Sequence, residues 1–181
     1  MKPIVVVDTN VAVVANRREA VSPACVIACV AQITAITRDE KRVAIDLEGL
    51  ILREYMKNLS LGGQPGVGDA FMKWLHQNQA VVERCEKVRI TTMGTNNEPD
   101  FPAFPDDRAL AAFDPADRKF VAVARAHPQA PPILEATDSK WWGWRDALQR
   151  HGVTVQFLCE AEIRATYDAK TGGRRRRTQG G

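Results

Sequence analysis

Four β-branched residues in succession, Ile4-Val5-Val6-Val7, open the chain and stop at Asp8. An uninterrupted apolar run, rather than an alternating one, predicts a strand covered on both faces, as in the middle of a parallel sheet. Pro23 to about Thr37 carries little charge and predicts a helix packed on that sheet. Arg42 to Asp46 predicts a second strand, and Leu47 to Leu59 a helix with Leu47, Leu50, Ile51, Tyr55 and Leu59 on one face. A Gly/Pro-rich loop at 62–68 leads into a helix around Asp69 to Gln79, and Lys87 to Thr92 predicts a third strand. In Asp114-Pro115-Ala116-Asp117, Asp114 fits a helix N-cap and Pro115 the first turn, with Phe120, Val121 and Ala124 on the buried face. Ile133 to Thr137, Trp141 to Arg150 and Val153 to Leu158 predict strand, helix and strand. Repeated β-α alternation predicts an α/β fold, a three-layer α/β/α sandwich around a central parallel sheet. Residues 94–113 are Pro-rich and aperiodic, and read as a lid or binding loop.

The chain has 181 residues, 45% hydrophobic and 26% charged, which fits one globular domain, placed here at 1–166. The end, 167–181, holds Arg174-Arg175-Arg176-Arg177 between glycines and reads as a disordered basic tail. Such a tail either binds nucleic-acid phosphates or is simply solvated. Without those arginines the chain is slightly acidic. No signal peptide follows Met1-Lys2-Pro3 and no apolar run could span a bilayer, so the expectation is a cytoplasmic protein with no membrane association. Cys25, Cys29, Cys85 and Cys159 form no CxxC pair; buried reduced thiols are expected, with zinc as the alternative. No GxxxxGK[ST] is present, and Gly66-Val67-Gly68 lacks the third glycine and preceding strand of a dinucleotide site.

Carboxylates carry the candidate chemistry. Asp8 and Asp138 follow predicted strands, and ligands of open parallel sheets bind just beyond the carboxyl ends of strands. Glu54 lies mid-helix at the border of the apolar face, and Asp117 in a first helical turn. Each has a plainer reading: Asp138 and Asp117 as helix caps, Glu54 as a surface residue, and Asp114, Asp46 and Glu48 as helix-start residues. Converging carboxylates repel one another unless a divalent cation neutralises them. An all-oxygen acidic set suits Mg²⁺ or Mn²⁺ and hydrolysis of phosphodiesters. Trp141, Trp142 and Trp144 follow Asp138 and serve either as packing anchors or as stacking faces for bases. His76, His127 and His151 adjoin none of these acids and are assigned no catalysis.

Four separated motifs, Val7-Asp8-Thr9-Asn10-Val11, Arg53-Glu54-Tyr55, Asp117 through Ala124, and Ala136-Thr137-Asp138-Ser139, resemble those of the PIN-domain nuclease family, over roughly residues 3 to 158. The resemblance implies a sheet ordered 3-2-1-4-5 and Mg²⁺- or Mn²⁺-dependent endoribonuclease activity. It also implies catalytic acidic ligands at Asp8, Glu54, Asp117 and Asp138, with Asn10 orienting the first aspartate. Many members carry an acid where this chain has Lys140, which puts the number of metals in question; Lys140 could instead meet a substrate phosphate. The resemblance further implies a toxin or defence effector, an antitoxin or regulatory protein partner, and a homodimer. The competing readings are a noncatalytic RNA-binding or protein-interaction module of the same fold, and an aspartate-nucleophile phosphohydrolase. The second commonly wants an acid two residues after its nucleophile, and Asn10 stands there. A receiver domain would need an acidic pair that the chain lacks.

Overall fold

A computed structural model describes residues 2–17, 20–95 and 99–178, with side chains described through 172. Strands β1 (Ile4–Val7), β2 (Arg42–Asp46), β3 (Cys85–Val88), β6 (Ile133–Glu135) and β7 (Val155–Phe157) form one sheet in the order β3-β2-β1-β6-β7. All its pairings are parallel, with Val5 opposite Val43, Val7 opposite Leu134 and Glu135 opposite Phe157. This is the expected α/β sandwich and the expected order, β6 and β7 being the fourth and fifth strands of the sheet. A second ladder, β4 (Met93–Gly94) with β5 (Pro99–Asp100), is antiparallel. Helices α1 (Thr9–Ala15), α2 (Pro23–Thr37), α3 (Leu50–Asn58), α4 (Val67–Asn78), α5 (Arg118–Ala126), α6 (Ser139–Arg150) and α7 (Glu160–Thr178) complete the chain. The continuous apolar run of β1 is buried at every position, as strands sandwiched between helices require.

Several local expectations are corrected. Helix α3 begins at Leu50, because the buried Asp46 carboxylate accepts from the Leu50 and Ile51 amides at 2.7 and 2.8 Å and fixes the start there. Leu47 is thereby left exposed, outside the helix. The 94–113 connection is packed rather than an open lid: Phe101, Leu110 and Phe113 are buried, and the Phe113 ring lies 4.9 Å from that of Trp141. Asp114 caps a 3-10 turn, Pro115–Asp117, through the Ala116 amide at 3.0 Å, and α5 starts only after it. Lys87 to Thr92 overshot its strand, which ends at Val88.

The expected disordered tail is helical as far as Thr178. Ile163 is buried, the Glu162 carboxylate accepts from the Ser22 amide at 3.3 Å and from its hydroxyl, and Lys170 Nζ donates to Ser139 Oγ at 3.1 Å. These anchors fasten α7 to the domain despite its charge. Arg174 to Arg177 lie on its last turns, and their side chains fall outside the described residues. The reduced-thiol expectation fails for two cysteines: Cys25 and Cys159 form a disulfide across 134 residues, because the start of α7 lies against α2. Cys29 and Cys85 are buried thiols. Among the described residues no helix is long and apolar enough to cross a membrane.

Packing between α1 and α4 depends on one glycine. A Cβ at Gly68 would lie 2.0 Å from the Ala12 carbonyl oxygen, a backbone atom that cannot swing aside. Asn16, at the end of α1, reinforces the contact by accepting from the Gly68 amide at 2.8 Å. Gly68→Ala is expected to cost about 1–3 kcal/mol by overpacking, lowering the melting temperature by about 2–4 °C per kcal/mol. An unchanged thermal melt would mean that the two helices can separate without penalty.

Candidate active site

The strand-exit position of Asp8 makes it the N-cap of α1: its Oδ1 accepts from the Asn10 amide at 2.9 Å. Next to it, Thr9 Oγ1 donates to Glu54 Oε1 at 2.5 Å. Glu54 is placed by its neighbour Tyr55, whose buried hydroxyl donates to the Val7 carbonyl and pins α3 to the end of β1. Asp117 sits where the 3-10 turn passes into α5, and makes no capping hydrogen bond from its side chain. Asp138 caps α6 through the Lys140 amide at 2.9 Å. Elements separated by up to 130 positions thus bring all four expected acids to the walls of one cleft of about 350 Å³, with Asn10 and Thr137 among its other lining residues. The cleft opens beyond the carboxyl ends of β1 and β6, beside the central strand of the sheet.

A fifth acid was missed. Glu135, the last residue of β6, is 0% exposed. Its Oε1 accepts from Asn10 Nδ2, from the Thr137 amide at 3.1 Å and from the Asp138 amide at 2.9 Å. Its Oε2 is buried with no hydrogen-bond partner among the described residues. The available signal was a charged residue inside a run buried on both faces, a position that demands a partner. Asn10 is accordingly corrected: its side chain holds Glu135 and accepts from the Ala136 amide at 3.0 Å, and only its backbone touches Asp8.

Lys119 was missed too. It is 7% exposed, and its Nζ pairs with Glu54 Oε2 and donates to the Ala116 carbonyl. Both Glu54 oxygens are therefore engaged. Asp8 Oδ2, Asp138 Oδ2 and both Asp117 oxygens receive no hydrogen bond from the described residues. The Lys140 side chain is exposed. Trp141 is fully buried against Phe113 while also lining the cleft; its indole N–H has no partner among the described residues. His127 and His151 bond to Glu86 and Asp107, at 2.7 and 3.0 Å, away from the cleft.

Burial first, and then mutual repulsion, holds protons on this cluster. Asp8 is pushed well above the ordinary 3.8, by desolvation and then by Glu135 and Asp117. Asp117 rises to about 6, through burial and then Asp114 and Glu54. Glu135 rises to about 8, chiefly through burial, against the opposing hydrogen bonds from Asp138 and Asn10. The folded chain therefore binds more protons than the unfolded one between the ordinary carboxylate range and about pH 8. In that window stability falls as pH rises. Melting temperature in EDTA is expected to drop by roughly 5 °C from about pH 4.5 to pH 8, equivalent to about 1–3 kcal/mol. Asp107, lowered to about 2 by the Ala109 amide and then His151, acts only below this window. A flat or rising profile would show that the acids are not held protonated.

Among the described residues, the trio of potential ligand atoms lying within 4.8 Å of one another is the sulfur set of Cys25, Cys29 and Cys159, two of which are bonded together. The carboxylate oxygens are spread more widely. Comparison with family models, curated proteins and solved structures returns no match for the chain.

Proposed function

We propose that this protein is a metal-dependent endoribonuclease of the PIN-like kind, hydrolysing RNA phosphodiester bonds in the acidic cleft. The observation that carries the reading is the gathering of Asp8, Glu54, Asp117 and Asp138, from four distant parts of the chain, around a single cleft at the carboxyl edge of the sheet. The buried, unpartnered Oε2 of Glu135 adds to it, since a cation or a proton has to compensate such a group.

Asp8, Asp117 and Asp138, each with an uncommitted oxygen, would hold Mg²⁺ or Mn²⁺, with Glu54 bordering them. The cation would neutralise developing charge on the phosphate and activate water for in-line attack. Glu135 fixes the loop that carries Asp138, through the Thr137 and Asp138 amides. Lys140, exposed at the start of α6, and the arginines of α7 are the cations that would meet the RNA backbone. The same family resemblance implies a toxin or effector role, and a regulatory protein that presents a lysine or arginine to the cleft would suit its acidic lining. One observation favours the alternative of a noncatalytic RNA-binding module: Glu54 is already neutralised by Lys119.

The test is cleavage of a mixed panel of labelled RNA and single-stranded DNA by wild type and Asp8→Asn, each with Mg²⁺, Mn²⁺ and EDTA. Metal-dependent cutting that is lost in the variant supports the nuclease. RNA binding without cutting, by both proteins, supports the module.

A further inference from the structure

Two features of the cleft do not fit a set of four equivalent acidic ligands. Glu54 has both oxygens committed, one to Thr9 and one to Lys119, whereas Asp8, Asp117 and Asp138 each keep an oxygen open. Lys119 is also no surface lysine that happens to swing inward. It is buried, its Nζ is held from the other side by the Ala116 carbonyl, and its ammonium lies 4.8 Å from the centre of the Phe120 ring. A buried lysine keeps its charge only with such partners.

We infer that Lys119, which lines the neighbouring pocket with Ala116 and Phe101 rather than the cleft itself, takes up the charge of Glu54 and leaves room for one divalent ion beside Asp8, Asp117 and Asp138. The inference rests on the nuclease reading and refines it. Glu54 becomes a positioning residue that anchors Lys119 and, through Thr9, the first turn of α1, rather than a metal ligand.

Calorimetric titration with Mn²⁺ tests this without reference to catalysis. Wild type is expected to bind one Mn²⁺ per chain. Lys119→Gln, which removes the repelling charge and frees Glu54, is expected to bind Mn²⁺ about tenfold more tightly or to take up a second ion. Because a lone buried Glu54 could impair folding, the paired variant Glu54→Gln with Lys119→Gln is the decisive companion. It removes both charges together and is expected to stay within about threefold of wild-type affinity. Two ions bound by wild type, an unchanged affinity in a folded Lys119→Gln, or loss of binding in the paired variant would each overturn the inference. RNA cleavage measured on the same proteins separates the two readings. Cutting with unaltered Mn²⁺ binding in Lys119→Gln sinks only the role of Lys119. The expected binding pattern without cutting leaves that role standing and sinks the nuclease. No Mn²⁺ binding in any variant sinks both.

Discussion

Asp8→Asn is expected to abolish the proposed RNA cleavage, by about a thousandfold or more, and at pH 8 also to raise the melting temperature. The two effects share one cause. Asp8 is 5% exposed and surrounded by Glu135, Asp117 and Glu54, so its negative charge opposes folding in the absence of a cation. Asparagine keeps the capping oxygen that the Asn10 amide requires, and is as good an N-cap as aspartate. What the substitution removes is the ionised oxygen that would bind the cation. A gain of about 1 kcal/mol is expected, read as a melting temperature higher by roughly 2–4 °C. Added Mg²⁺ should stabilise wild type and leave the variant unmoved. An inactive variant that melts well below wild type would assign Asp8 a structural role instead. An active one would remove it from the chemistry altogether.

Reducing the Cys25–Cys159 disulfide is expected to cost about 2–4 kcal/mol, the largest stability effect anticipated for this chain, lowering the melting temperature by roughly 5–15 °C. The bridge spans 134 residues, so it constrains nearly the whole unfolded domain. Cys159→Ser is the clean variant, whereas Cys25→Ser leaves Cys29, whose sulfur lies within 4.8 Å of the other two, able to pair with Cys159 in its place. Melts of wild type with and without reductant, beside Cys159→Ser, should show reductant shifting the first and not the second. Equal melts would show that the fold draws nothing from the bridge.

The sheet was legible because its strands are short apolar runs at regular intervals, and parallel order follows once helices alternate with them. Asp8 and Asp138 were legible for a related reason: each ends such a run, and the run fixes where the strand stops. Glu135 was hidden inside its run, three residues before an acid that already explained the position. Lys119 was hidden by chemistry, since a lysine two residues after Asp117 reads as a solvated helix charge until Glu54 is seen beside it. The 25–159 pairing depends on how α7 returns to α2, and no local spacing encodes that. For α7 itself, the charge and glycines outweighed Ile163 and Tyr167, whose four-residue spacing was the helical signal; Tyr167 packs where a Cβ on Gly143 would clash at 2.7 Å.

The acids of the cleft stand at positions 8, 54, 117 and 138, the last beyond the fourth strand of the sheet. During synthesis the chain therefore emerges with its first carboxylate long before its last. At about 5–20 residues per second, the interval is on the order of ten seconds. Throughout it, a growing polypeptide surrounded by ribosomal RNA lacks one wall of its own cleft. A chain released early, anywhere before β6, has no site at all. On the proposed nuclease reading, the order of elements along the chain acts as a built-in delay before the cleft is complete.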